Sequence, residues 1–343
     1  MPHASAQLDT DAIAAWLTAN LPGFRGPVTA EKFPSGQSNP TFRLETSGGT
    51  YVLRRKPPGT LLKSAHAVDR EFRVQKALAQ TDVPVARMHV LCEDDRVIGS
   101  AFYVMEEVHG RNFDDPRLPG VDRAMRSRIY DEMNRVLAAI HRVDIDAAGL
   151  GDFGASGNYY RRQIDRWSRQ YRASETEEIL DMEALMGWLD ANAPEDDGRR
   201  ALVHGDYRID NLLFAPDGPE CLAVIDWELS TIGHPFADLA AMIMQWRLPA
   251  GAEARGLAGA DREALGLPSD EAFVEAYCRR MGIAAIDNFG FYLAFSFFRM
   301  GAILQGVKKR ALDGSASDPK RGLRLGAYVP QFAAYGLDAA QNA

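Results

Sequence analysis

The spacing of apolar residues divides the chain into a short β-rich part and a longer helical part. Ile13, Trp16 and Leu17 recur at the helical interval and predict a first helix over residues 9–20. The stretch after it contains two runs with the composition of strands, and a Ser-Gly-Gly turn separates them. The elements predicted for this part are the helix 9–20, β structure over 28–56, a helix over 66–80, and strands over 87–92 and 97–108.

After Gly110 helical spacing dominates. The predicted helices cover 121–143, 157–172, 179–192, 235–247, 270–281, 287–308 and 322–335, with short β segments at Asn211–Phe214 and Cys221–Ile225. The most apolar stretch, 289–298, ends at Arg299, well short of the ~20 residues that a membrane span needs, and so predicts a buried core helix. We therefore expect an α+β fold, with a small antiparallel β lobe and N-terminal helix over 1–107 and a larger, mainly helical lobe over 108–343.

Composition narrows the class of protein. The 343 residues are 46% hydrophobic and 25% charged, as in an ordinary globular protein. The formal charge of −8 argues against nucleic acid or an anionic membrane as the main partner, and the sequence leaves the oligomeric state open. Cys92, Cys221 and Cys278 are far apart, which suits neither a disulfide framework nor a cysteine zinc site. The N-terminus lacks the basic stretch and apolar run of a signal peptide, so we expect a cytoplasmic protein.

The candidate chemistry is concentrated in the His204-Gly205-Asp206 segment and the two polar residues that follow it, Asn211 and Asp226. Phosphoryl transfer requires an aligned nucleophile and cations that hold the developing charge. Asp206 is suited to accept the proton of a substrate hydroxyl. Asn211 and Asp226 offer the hard oxygen ligands that Mg²⁺ prefers.

The order of these residues resembles the catalytic and metal-binding loops of the aminoglycoside phosphotransferase family, within the protein-kinase-like fold. A closer similarity, over roughly residues 28–335, is to the kinase-like domain at the front of acyl-CoA dehydrogenase family members ten and eleven. The segments that carry this similarity are Ser35–Phe42, Tyr51–Gly59, Asp69–Phe72 and Val224–Ser230.

The resemblance implies an ATP- and Mg²⁺-dependent kinase that phosphorylates the hydroxyl of a small molecule. The closer relatives imply a hydroxyacyl acceptor, including its CoA thioester. Two alternatives stay open. In the first, the acceptor is an aminoglycoside or another small alcohol such as choline or a sugar. In the second, the protein is an inactive kinase-like module that binds a nucleotide or an acyl ligand.

The kinase arrangement also assigns the nucleotide-binding residues. The turn that is expected to cover the phosphates contains Ser35, Gly36, Gln37, Ser38 and Asn39. Arg54 occupies the strand position of the usual kinase lysine and is the predicted phosphate-binding cation. Lys56 shares its face of the strand and is the alternative, whereas Arg55 is expected to face away.

The remaining positions follow from the same resemblance. Glu71 is expected to pair with Arg54, and the backbone near Glu106 and Val108 to bind the adenine edge.

Two further residues are expected to support the catalytic loop. His204 is expected to brace it, and Asp238 to cap a helix or hold the loop. Trp227-Glu228 replaces the Phe-Gly of protein kinases, and Glu228 is open between a metal or substrate contact and a structural role.

Overall fold

The computed structural model describes residues 8–33, 39–57, 67–251, 255–316 and 318–342. These residues form two compact units that are both discontinuous in sequence. The first unit contains the chain up to Phe113 and the segments Asp146–Leu150 and Asp210–Ser230, and the second contains the rest. The functional division at residues 107 and 108 stays a prediction.

The helices and strands are numbered in chain order. They are α1 (Thr10–Asn20), β1 (Val28–Lys32), β2 (Thr41–Thr46), β3 (Gly49–Arg55), α2 (Val68–Leu78), β4 (Met88–Cys92), β5 (Phe102–Glu106), α3 (Arg123–His141), α4 (Tyr159–Ser174), α5 (Leu180–Ala191), β6 (Ala201–Val203), β7 (Leu212–Phe214), β8 (Cys221–Val224), β9 (Thr231–Gly233), α6 (Phe236–Trp246), α7 (Arg262–Leu265), α8 (Asp270–Met281), α9 (Phe289–Leu312), α10 (Pro319–Gly326) and α11 (Val329–Gln341). Single 3₁₀ turns lie at Ile209–Asn211 and Trp227–Leu229.

The first unit is built on an antiparallel sheet with strand order β1-β2-β3-β5-β4. Alternation along β5 directs Phe102 and Val104 to the face that packs on α1. Tyr103 lies between them in sequence and therefore belongs to the opposite face, where it packs with Phe72 of α2. Arg54 is the cross-strand partner of Tyr103 and so lies on the α2 face as well.

A short hairpin, β7–β8, also belongs to the first unit. Leu212 pairs with Val224, and the N–H of Ile225 donates to the Asn211 carbonyl at 2.9 Å. The start of β7 and the end of β8 therefore lie at the same end of the hairpin. The 3₁₀ turn that follows β8 packs on α2.

The second unit is mainly helical, with α9 as its central helix. Helices α4, α5, α6, α10 and α11 all pack on α9. Among the described residues, α9 alone is long and apolar enough to cross a membrane, and 78% of its most apolar window is buried within the protein. The prediction that residues 289–298 lie in a buried core helix is confirmed, and this helix begins at Phe289 rather than at residue 287.

The strands β6 and β9 form a two-stranded ribbon in the second unit, with Val203 opposite Thr231. The strand β6 directly precedes the predicted catalytic loop, which begins at His204. The sequence-based prediction missed both strands because three residues are too few to show alternation.

Two other predictions of elements are wrong in detail. The strand expected over 97–108 begins only at Phe102, since turns around Gly99, which has a φ of 82°, occupy its first part. The helix expected over 322–335 is divided into α10 and α11 by a turn at Ala327 and Tyr328. The α+β class and the protein-kinase-like fold are confirmed by these elements and by the solved structures described below.

Candidate active site

Arg54 is the centre of a cluster of acidic side chains in the first unit. Its Nε lies 2.9 Å from Oε2 of Glu71, and its Nη2 lies 2.7 Å from Oδ1 of Asp226. Glu228 is more distant, with Oε2 at 3.7 Å from Nη2. Burial opposes the charge on Arg54, but the three carboxylates outweigh it and raise the pKa of the guanidinium. The predicted pairing of Arg54 with Glu71 is therefore present, and Arg54 remains protonated at any working pH.

Glu71 is held by groups on both of its oxygens. Oε1 accepts a hydrogen bond from Nδ2 of Asn39 at 2.7 Å, and Oε2 accepts one from the Tyr103 hydroxyl at 3.0 Å. The side chain is 1% exposed, and this burial raises the pKa of Glu71 to about 7 against the pull of Arg54. The carboxylate is thus fixed in orientation, and its charge is sensitive to pH near neutrality.

The two cations that follow Arg54 in the sequence have other partners. Lys56 Nζ lies 3.8 Å from Oδ1 of Asp69 on α2, with a third of its side-chain surface exposed. Arg55 is 4% exposed and its Nε donates to the Ser100 hydroxyl at 3.0 Å. Arg55 therefore faces away from Arg54, as the alternation predicts.

The two predicted metal ligands lie at one end of the β7–β8 hairpin. Asn211 directly precedes β7 and is 7% exposed, and Asp226 follows β8 in a left-handed conformation with a φ of 66°. A non-glycine residue in this region is uncommon, and such strain occurs preferentially at functional sites. An amide oxygen and a carboxylate fit Mg²⁺, which usually takes one or two protein ligands and completes its shell with phosphates and water.

Neighbouring side chains fix the backbone on both sides of these ligands. Asn112 Nδ2 donates to the carbonyls of Asp210 and Leu212, at 2.6 and 3.2 Å. The Trp227 indole N–H donates to the Val224 carbonyl at 2.9 Å. Hydrogen bonds within the protein therefore fix the backbone beside Asn211 and Asp226.

The predicted catalytic loop lies in the second unit and is anchored by Asp238. Oδ2 of Asp238 accepts the N–H of His204 at 2.7 Å, and Oδ1 accepts the N–H of Gly205 at 2.8 Å. Gly205 has a φ of 85°, which a residue without a Cβ adopts readily. The prediction that Asp238 holds the loop is confirmed, whereas it does not act as an N-cap, since α6 begins after Pro235.

A buried chain of polar groups extends from Asp238. Oδ2 of Asp238 lies 3.3 Å from Nε2 of His141, and Nδ1 of His141 lies 2.7 Å from the Tyr277 hydroxyl. Burial acts against the charge of Asp238, but the hydrogen bond from His141 and the nearby histidines lower the pKa of the carboxyl below its usual value. The anchor therefore stays ionised in the interior of the unit.

Asp206 follows this anchored segment and is partly open to solvent, with 36% of its side chain exposed. Its N–H donates to Nδ1 of His204 at 3.3 Å, which confirms the predicted bracing role of His204. Nε of Arg208 lies 3.4 Å from Oδ1 of Asp206. Arg299 contributes a donor to the Gly205 carbonyl at 3.4 Å.

Several predicted site residues stay untested by this geometry. Ser35, Gly36, Gln37 and Ser38 lie outside the described residues. The Glu106 N–H is used by the Arg87 carbonyl at 2.9 Å, so an adenine contact at Glu106 is left to its carbonyl oxygen. Val108 lies half-buried just after β5.

Sequence reasoning missed four residues that shape the site, namely Tyr103, Asn112, His141 and Tyr277. Each acts through a partner that is distant in sequence, at separations of 32 residues for Tyr103 and 136 for the His141–Tyr277 pair. His141 alone carried a signal in the sequence, since it lies near the end of the helix predicted over 121–143.

Comparison with known proteins agrees with this geometry. The model of the family described as "APH: Phosphotransferase enzyme family" matches residues 29–277, which is most of the chain. The chain belongs to this phosphotransferase family. Homologues named acyl-CoA dehydrogenase family members 10 and 11 confirm the closer resemblance as well.

One of these, mouse acyl-CoA dehydrogenase family member 10, is 50% identical over 85% of this chain but only 27% of its own length. A crystal structure of a proposed aminoglycoside phosphotransferase from Ralstonia eutropha is 50% identical, with a TM-score of 0.90 over 98% of this chain and 99% of that one. An aminoglycoside phosphotransferase in complex with ADP and hygromycin B is 16% identical, with a TM-score of 0.63 over 96% of this chain and 98% of that one, and shares the fold.

Proposed function

We propose that this protein is an ATP- and Mg²⁺-dependent kinase that transfers the γ-phosphate to a hydroxyl group of a small molecule. The observation that carries the proposal is the Arg54 cluster together with the anchored Asp206 loop. Phosphoryl transfer requires a cation that holds the phosphates and a positioned base for the acceptor hydroxyl. Arg54 is a buried guanidinium fixed by Glu71, and Asp206 ends a loop whose backbone is held by Asp238.

Each group of site residues has a separate role in this reaction. Arg54 binds nucleotide phosphates, with Ser35, Gly36, Gln37 and Ser38 covering them through backbone N–H groups, and the backbone at Glu106 and Val108 holds the adenine. Asn211 and Asp226 hold Mg²⁺, which neutralises charge on the phosphates. Asp206 orients the acceptor hydroxyl and takes its proton.

The acceptor that we propose is a hydroxyacyl compound, such as a hydroxyacyl-CoA. The surroundings of the Asp206 loop support an anionic acceptor better than a polyamine. The Arg299 guanidinium lies over the Trp167 ring at 5.7 Å, and Arg166 lies over the same ring at 5.2 Å. A positively charged antibiotic would be repelled by two arginines at this place, whereas a carboxylate or phosphate would be attracted.

The experiment is ADP release from Mg-ATP across hydroxyacyl-CoAs, aminoglycosides, choline and sugars. We expect hydroxyacyl-CoAs to give the highest kcat/KM. Preference for an aminoglycoside or choline would reject the acceptor and leave the kinase assignment intact.

The role of Asp206 is tested by D206N on the best acceptor. We expect kcat to fall about 10²–10⁴-fold with unchanged nucleotide affinity, because the general base is lost and the nucleotide site is not. D181N, an exposed carboxylate of α5, is the matched control. Full activity of D206N would overturn the mechanism, and nucleotide binding without turnover on any acceptor would favour a binding module.

A further inference from the structure

Asn39 is a buried polar residue two residues before β2, with none of its surface exposed. Its own carbonyl is bonded to the first residue of β2, and that of the next residue, Pro40, to the end of β3. The Thr41 hydroxyl donates to the Asn39 carbonyl at 3.1 Å, and the N–H of Arg55 donates to the Pro40 carbonyl at 3.0 Å. The residue therefore has a fixed position next to the end of β3, where Arg54 lies.

The side chain of Asn39 bridges two acidic residues from other parts of the first unit. Nδ2 donates to Oε1 of Glu71 on α2 at 2.7 Å, and it lies 3.4 Å from Oε2 of Glu228 in the turn after β8. A neutral amide between two carboxylates supplies donors without adding charge. The amide thereby offsets the repulsion between the Glu71 and Glu228 carboxylates, which also have the Arg54 guanidinium as a common partner.

Loss of this amide would change which carboxylates Arg54 contacts. Oε1 of Glu71 would be left in the interior without this donor, and a buried oxygen that lacks its hydrogen bond is destabilised. Glu71 would then move or take up a proton, and Arg54 would shift toward Asp226 and Glu228, which already lie at 2.7 and 3.7 Å from its Nη2. The orientation of Arg54 therefore depends on Asn39 through Glu71.

We propose that Asn39 is a positioning residue for nucleotide binding, which holds Glu71 and through it Arg54 without contacting the nucleotide. The proposal rests on the proposed function, because it assumes that Arg54 binds phosphates. The sequence predicts Asn39 as part of the turn that covers the phosphates, and the proposal gives it a different role.

The test is a double-mutant cycle on the affinity for Mg-ADP, measured by calorimetry for wild type, N39A, E71Q and N39A/E71Q. We expect N39A and E71Q each to weaken binding about tenfold, and the double variant to bind within about twofold of E71Q. If Asn39 touched the phosphates directly, the two losses would multiply to about 100-fold, and that result would overturn the proposal.

A second pair of variants covers the case in which N39A does not fold. N39D places a further carboxylate against Glu71 and is expected to bind more weakly than N39A. N39D/E71Q restores the total charge and lets the new amide donate to the new carboxylate, so it should recover most of the affinity that N39D loses. Failure of this rescue in a folded protein would overturn the proposal.

Mg-ADP binding by the wild-type protein distinguishes failure of the proposed function from failure of the role of Asn39. Wild-type protein that does not bind Mg-ADP would overturn the proposed function, and this proposal with it. Wild-type protein that binds Mg-ADP, with N39A of equal affinity, would overturn the role of Asn39 alone.

Discussion

Replacing Glu71 by glutamine should change how the stability of the protein depends on pH. The folded-state pKa of Glu71 is about 7, compared with an ordinary value of 4.5. Between these two values the folded protein keeps the proton and the unfolded chain has lost it. Stability from this group is therefore fully present below pH 4.5 and is lost as the pH rises to about 7.

The size of the effect follows from the shift. Each unit corresponds to about 1.36 kcal/mol, so a shift from 4.5 to about 7 corresponds to roughly 3 kcal/mol of unfolding free energy. Glutamine at position 71 does not titrate, so E71Q does not lose this unfolding free energy as the pH rises. We therefore expect the difference in unfolding free energy, E71Q minus wild type, to rise by roughly 3 kcal/mol between pH 4.5 and pH 7.5.

The measurement is urea unfolding of the full chain at half-unit pH steps, followed by far-UV circular dichroism. E275Q is the control, because Glu275 lies exposed on α8 with 73% of its side chain accessible and should give parallel curves. Parallel curves for E71Q and wild type would refute the reasoning. They would mean that the donors Asn39 and Tyr103, with Arg54, keep the buried carboxylate ionised throughout this range.

Three other predictions follow from the site and the fold. R54A should weaken Mg-ADP binding at least tenfold and K56A less than twofold, in calorimetric titrations; the reverse order would assign the phosphate contact to Lys56. D238N should lower kcat more than tenfold and reduce the unfolding free energy by about 1–3 kcal/mol, because one loop N–H loses its acceptor. An unchanged kcat would contradict the anchoring role of Asp238. G154A should reduce the melting temperature, because a Cβ there would lie 2.7 Å from backbone atoms of β9. G187A, on the open surface of α5, should raise the unfolding free energy by about 0.5–1 kcal/mol and serves as its control.

The apolar pattern predicted most helices, the α+β class and the core position of α9, because burial of one helix face imposes a period that the sequence carries. The His204–Asp206 segment and its order relative to Asn211 and Asp226 pointed to phosphoryl transfer for a similar reason, since the spacing of these residues is a property of the chain itself. Alternation on β3 placed Arg54 and Arg55 on opposite faces, which is a local consequence of the pleat.

The tertiary structure decided the partners of the buried charges. Asn39 meets Glu228 across 189 residues, and Arg54 meets Asp226 across 172. These contacts depend on how α2, the sheet and the β7–β8 hairpin pack, and local periodicity carries no information about such packing. A buried charge needs a partner, but which side chain supplies it is set by strand register and helix position, and these exist only in the folded protein.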